Sequence, residues 1–202
     1  MKSLRSILAL VLMSLCTLAF AQSDAQTAVT QLDSHMNHPQ KPAAPKSETQ
    51  KSFDALKSLA GTWEGVVNVN PPVPEIDGKA SVITMRVTSR GNALVHEMKG
   101  AGLPDDPAKY DHPLTMFYQD NDRLLLTHYC DAGNRPRMVA RTSPDGKTLE
   151  FDFIDVAGST KYGNMYHAVF TMMDENHHSE EWTYMLPGNK PMRAHFDLKR
   201  AK

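Results

Sequence analysis

The sequence predicts an all-β fold: a single antiparallel meander closed into a barrel of about ten short strands, preceded by a short helix. Three observations carry that prediction. Apolar and polar residues alternate at period two through most of the chain after residue 61. Turn residues punctuate the alternating runs, as in Asp120-Asn121-Asp122, Pro144-Asp145-Gly146 and Pro187-Gly188-Asn189. The gaps between runs are too short for the crossover helices that parallel strands require, so consecutive runs pair antiparallel. Closure removes the edges that would otherwise recruit other chains. An immunoglobulin-type sandwich would call for a Cys–Trp–Cys arrangement, which two cysteines at 16 and 130 do not supply.

Along the chain, the first element is an address. Lys2 and Arg5 precede an apolar run from Ile7 to Phe20, and Ala19-Phe20-Ala21 puts small residues at the −3 and −1 positions of a cleavage point. That is the layout of a secretory signal peptide spanning 1–21. The run is shorter than the ~20 residues that a membrane span needs. Cys16 follows the bulky Leu15, which argues against acylation there. The expectation is an exported protein, periplasmic or extracellular, with no stable membrane insertion after cleavage. Cleavage takes two of the 22 Lys+Arg and none of the 23 Asp+Glu, so the mature formal charge is 20 − 23 = −3. A balance so close to neutral gives no electrostatic basis for nucleic-acid binding. Cys130 becomes the lone cysteine, either a buried inert side chain or a free thiol.

Residues 22–50 are polar, carry Pro39, Pro42 and Pro45, and read as a disordered tether. His35, Met36 and His38 are ligand types for a soft metal but lack fixed geometry. The barrel domain then runs over 51–202. Phe53, Leu56 and Leu59 recur at helical spacing in Lys51–Ala60, with Gly61 as the stop. Trp63, Gly65, Val67 and Val69 alternate with Thr62, Glu64, Val66 and Asn68, and Ile83, Met85 and Val87 alternate with Thr84, Arg86 and Thr88. Further strands are expected at 92–99, 114–119, 123–130, 136–142, 148–156, 163–172, 179–186 and 191–199. The clearest sets Leu149, Phe151 and Phe153 on one face and Glu150 and Asp152 on the other.

The helix followed by Leu59-Ala60-Gly61-Thr62-Trp63-Glu64-Gly65 resembles the opening of calycin-type barrels, namely lipocalins, fatty-acid-binding proteins and nitrobindin-like haem barrels. The stretches Leu126-Thr127-His128-Tyr129-Cys130 and Gly133-Asn134-Arg135-Pro136-Arg137-Met138 further resemble an uncharacterised family of exported bacterial lipocalin-like proteins. The resemblance implies a glycine that turns the chain into the first strand, a tryptophan that closes the barrel floor, and one open mouth. It does not imply a ligand.

In a barrel, alternate residues face inward. The expected inner set is Trp63, Val67, Ile83, Met85, Val87, Leu149, Phe151, Phe153, Trp182, Tyr184, Phe196 and Leu198. Nine methionines in the domain (Met85, Met98, Met116, Met138, Met165, Met172, Met173, Met185 and Met192) suit either an irregular core or a cavity that adapts to apolar guests. His128 shares a face with Leu124, Leu126 and Cys130, and Arg137 lies beyond the following turn. Inside a barrel both need partners, for which Glu97 and Glu180 are candidates. Arg137 would be the clamp for an acidic head group. The ligand-binding candidates are therefore Trp63, Met85, His128, Arg137, Phe151, Phe153, Trp182 and Tyr184. A His–Arg–carboxylate network that only stabilises the barrel is the plainer alternative.

The function expected is the binding of a small apolar or amphipathic molecule, with no cofactor. The nitrobindin likeness offers haem as an alternative, with His195 as its ligand, although period two turns His195 outward between Ala194 and Phe196. A structural or interaction domain with no cavity ligand is the other alternative. His128 and Cys130 are two apart on one strand, about 7 Å at the backbone, which is loose for proton transfer. No G-x-S-x-G, H-E-x-x-H or phosphate-loop motif is present, so catalysis is not expected. His177-His178 with Glu175, Glu180 and Glu181 reads as a solvated hairpin tip, because adjacent strand residues face opposite ways. Loops 70–79 and 101–112 are expected at the barrel ends, where selectivity resides.

Overall fold

A computed structural model of the chain describes residues 45–202. The leader over 1–21, the tail up to residue 44 and the His35, Met36 and His38 group lie outside the described residues. One helix, α1 (Glu48–Lys57), precedes ten strands: β1 (Gly61–Asn70), β2 (Ala80–Thr88), β3 (Ala93–Gly100), β4 (Leu114–Asp120), β5 (Arg123–Tyr129), β6 (Arg135–Thr142), β7 (Thr148–Ala157), β8 (Asn164–Asp174), β9 (His177–Leu186) and β10 (Lys190–Arg200). Every strand pairs antiparallel with its sequence neighbour, and β1 pairs with β10 to close the barrel. The seam runs from Trp63 opposite Arg200 to Asn70 opposite Arg193.

The helix starts three residues earlier than its apolar spacing suggests. The Ser47 side chain caps it by accepting from the Gln50 N–H at 3.1 Å, satisfying one of the donors left free in a first turn. Glu48 in that turn and Lys57 in the last one complement the helix dipole. Phe53 and Leu56 are buried, and the helix seats them across one end of the barrel. Its polar edge ties to hairpin tips there. Thr49 Oγ1 donates to the Asp122 carbonyl at 2.7 Å, and Ser52 Oγ lies 2.7 Å from Thr142 Oγ1.

Trp63 completes this floor. It is fully buried and its indole N–H donates to the Leu59 carbonyl at 2.7 Å. The Arg200 guanidinium stacks over its ring at 4.2 Å and donates to the carbonyls of Ala60, Ser58 and Glu175. Full burial of side chains this size contributes roughly 1.5–3 kcal/mol each. The surrounding glycines have distinct reasons. Gly61 turns the chain from helix to strand at φ 141°, a region closed to residues with a Cβ. A Cβ on Gly65 would stand 2.0 Å from the Asp197 carbonyl oxygen across the seam, so only glycine lets β10 approach there.

Next to the floor the interior is filled by side chains. Phe117, Phe151, Phe170 and Trp182 meet edge to face at centroid distances of 5.3 to 5.8 Å, the arrangement that ring quadrupoles favour. Met138, Leu94, Leu126 and Leu149 fill the gaps between them and the helix. Outside, polar side chains pair across strands: Arg141 bridges Glu150 and Asp152, and His177 pairs with Asp197.

Two members of the expected inner set fall elsewhere. Val87 is 38% exposed near the end of β2. Phe153 is half-buried and stacks on Tyr166, centroids 5.0 Å apart. Around Phe153 the ladder is irregular: Met138 pairs with Phe153 but Arg137 with Asp155, and β8 slips between Met165 and His167, on either side of Tyr166. A bulge adds a residue to one strand and ends the simple inside-outside count.

Candidate functional site

The barrel's two ends are unlike. The end under α1 is sealed, whereas the other, ringed by loops 71–79, 101–113, 130–134, 158–163 and 187–189, opens into a cavity of about 810 Å³. That volume is in the range that holds a small organic molecule. Its walls are mainly apolar: Val67 and Phe196 come from the seam strands, Met98, Met165 and Met192 from β3, β8 and β10, and Trp182 from β9. Ile76 and Leu103, each 42% exposed, stand on the rim loops. Lys79, Lys99 and Lys109 share the wall and rim with Glu75, Asp111 and Asp131, so neither sign of charge dominates the entrance.

Behind the inner end of the cavity lies a buried polar cluster, of which His128 lines the cavity. His96 of β3, Thr115 of β4 and His128 of β5 stand side by side in register, and all three are fully buried. His128 and Trp182 reach the cavity, their rings 5.5 Å apart. Across the barrel, Glu180 of β9 is fully buried and receives three donors. His178 Nε2 donates to its Oε1 at 3.0 Å, His96 Nε2 to its Oε2 at 2.9 Å, and Trp182 Nε1 to the same Oε2 at 2.9 Å. Burial alone would push the Glu180 carboxyl up, but the His96 imidazole and the His178 hydrogen bond outweigh it and hold the group at about 2. Glu180 is therefore a carboxylate, an acceptor only, and each imidazole facing it carries its proton on Nε2. His128 goes the other way: burial, with His96 nearby, pushes it down to about 3, so its ring is neutral. His128 Nδ1 lies 2.8 Å from Thr115 Oγ1, while its Nε2 has no partner among the described residues.

Of the eight residues that the sequence nominates, His128, Trp182 and Tyr184 line the cavity. Tyr184 stands nearer the mouth, its hydroxyl donating to the Tyr162 carbonyl at 3.1 Å, and burial raises its phenol. Trp63, Met85 and Phe151 are buried in the floor and packed core, away from any guest. Phe153 is absent from the cavity wall for the reason given above. Arg137 corrects the expected acid clamp. Pro136 and Met138 take the inward positions of β6, so Arg137 projects from the outer wall and makes a two-pronged ion pair with Asp155, Nε to Oδ1 at 2.8 Å. Glu97 is likewise exposed and partners neither His128 nor Arg137. His195 is exposed on the outer face of β10, between Ala194 and Phe196 which line the cavity, so it does not fit a ligand of haem held inside. Among the described residues, no group of three or more His, Cys, Asp or Glu is placed to hold a metal ion.

His96 and His178 are the residues that sequence reasoning missed. His178 is not at a solvated tip. β9 already begins at His177, which pairs outside with Asp197, while His178 turns inward and sets its ring edge-on to Trp63 at 4.2 Å. The alternating His178, Glu180 and Trp182 were the available signal, two polar residues on the face of a buried tryptophan. Cys130 lies half-buried on the cavity wall, where burial pushes its thiol up and so away from the reactive thiolate.

No family model matches the chain, and no curated protein matches it. Among solved structures it is similar to a protein of unknown function of the DUF3598 family from Nostoc punctiforme PCC 73102, with a TM-score of 0.45 and 7% sequence identity. The match covers 72% of this chain and 49% of that one, so the chain spans about half of that structure's length.

Proposed function

We propose that this protein is an exported, calycin-type carrier that holds a small, mostly apolar molecule in the open end of its barrel. One observation carries the reading: a cavity of about 810 Å³, apolar on most of its wall, entered from one end of a barrel whose other end is sealed. Hydrophobic burial would drive binding, at roughly 25 cal/mol per Å² of guest surface removed from water. Met98, Met165 and Met192 give that wall flexible, polarizable side chains that adapt to shape. What supports the calycin-type assignment is the floor, with Gly61-Thr62-Trp63 following the helix and Arg200 stacked on the tryptophan. What supports export is the three-part layout of residues 1–21. None of the described helices is long and apolar enough to cross a membrane.

The test uses N-phenylnaphthylamine, a neutral apolar dye that fluoresces once out of water. The protein should enhance its emission saturably, and Ala194→Trp, which fills the cavity from β10, should abolish the effect while leaving the folded circular dichroism unchanged. Enhancement of equal size in the folded variant would overturn the reading. Native mass spectrometry of protein purified without added ligand would show in parallel whether a natural guest stays bound.

A further inference from the structure

The inner end of the cavity says what kind of polar group the guest carries. Thr115 is fully buried, and among the described residues its hydroxyl has one side-chain hydrogen-bond partner, His128 Nδ1 at 2.8 Å. A hydroxyl hydrogen buried in a protein needs an acceptor. If Nδ1 carried the ring proton, it would donate to Thr115 Oγ1 and leave the hydroxyl's own hydrogen unmatched. Thr115 does not line the cavity whereas His128 does, so the arrangement that a guest can complete is the reverse: Thr115 O–H donates to Nδ1, and the neutral ring keeps its proton on Nε2. The Nε2–H is then a donor with no acceptor and no contact with bulk water, on a residue that lines the cavity beside the Trp182 ring. A group brought in through the cavity can satisfy a donor on that residue.

We infer that the guest carries a neutral hydrogen-bond acceptor, a ketone, ester or amide oxygen, which takes the His128 Nε2–H while its apolar body lies against Trp182 and the methionines. The inference rests on the carrier reading above. A carboxylate is a poor fit at this depth. His128, which lines the cavity, offers it no positive charge, since burial keeps that ring neutral, and the Glu180 carboxylate hydrogen-bonded to Trp182 Nε1 repels a second anion. The lysines that could pair with an acid stand around the entrance, among carboxylates of their own. A metal centre on His128 is a poor fit as well, because among the described residues no group of three or more His, Cys, Asp or Glu is placed to hold one.

Acetonaphthone and ethylnaphthalene test this on the full chain, being close in shape and differing in a carbonyl. The expected result is a preference of about tenfold for the ketone, the worth of one hydrogen bond, which disappears in His128→Phe, where the two compounds should bind alike. Equal affinities in the unaltered protein, or a preference that survives His128→Phe, would overturn the inference and leave the carrier reading standing. If neither compound binds, or if Ala194→Trp leaves both affinities unchanged, the carrier reading falls and the inference with it. Nitrogen NMR of histidine-labelled protein gives a result that needs no variant. His128 should show a protonated Nε2 and a bare Nδ1, and the opposite tautomer would refute the assignment.

Discussion

Acidification should unfold this barrel through His128. In the folded chain burial holds that ring neutral down to about 3, whereas its ordinary value is 6.5. Because the folded pKa is depressed, the unfolded chain binds one more proton than the native one between those two values. The associated stability is complete above pH 6.5 and is lost as pH falls toward 3. The slope reaches about 1.4 kcal/mol per pH unit for a single proton. Between about pH 6 and pH 4 the loss from this residue alone comes to roughly 2 to 3 kcal/mol. For a domain of this size that lowers the melting temperature by roughly 5 to 10 °C. The assay is urea unfolding at half-unit pH steps, comparing the unaltered protein with His128→Phe. The variant starts from a different stability, because Thr115 loses its acceptor, but its curve should be flatter by about one proton over this window. Glu180 titrates from its ordinary 4.5 toward about 2 in both proteins, so its share cancels in the difference. Parallel curves would refute the reasoning, since they would mean that His128 is as easily charged in the barrel as outside it.

Three further outcomes follow from the same geometry. Glu180→Leu leaves the His96, His178 and Trp182 N–H groups without their acceptor and should cost about 3 to 5 kcal/mol in urea unfolding, with under about 1 kcal/mol speaking against the buried carboxylate. Gly65→Ala drives a Cβ into the Asp197 carbonyl, a backbone atom that cannot swing aside, so thermal melting should register a loss of about 3 kcal/mol or more. Arg137→Met should leave N-phenylnaphthylamine affinity unchanged in a fluorescence titration, because the guanidinium stands on the outer wall with Asp155. Weaker binding would return it to the cavity.

Most of the barrel was legible because one face of each strand is dry and the other wet. In β7, Leu149 and Phe151 are fully buried while Glu150 and Asp152 reach outward to Arg141. The loops at 70–79 and 101–112 were legible as rim elements from their proline and aspartate. The misses have physical causes. His96 sits in Ala93-Leu94-Val95-His96, where all four residues are buried, so no alternation marks which face is inside. Pairing of β3 with β4 decides it, and that is a long-range fact. Arg137 was recoverable, since Met138 and Pro136 set the parity of β6, but the short turn before it made either face look reachable. Phe153 was not recoverable, because the ladder irregularities beside it, at Arg137/Met138 and Met165/His167, leave no mark in composition.

The stack of Arg200 on Trp63 ties the last residue of the final strand to the third residue of the first. A ribosome delivers those residues far apart in time. Until the far one arrives, the margins of β1 and β9 offer unpaired peptide groups to any passing extended chain. Joining partners so distant in the sequence is also entropically slow compared with forming hairpins. The growing polypeptide therefore spends its most adhesive interval just before β10 emerges, and a chaperone that shields those two margins would be of most use then.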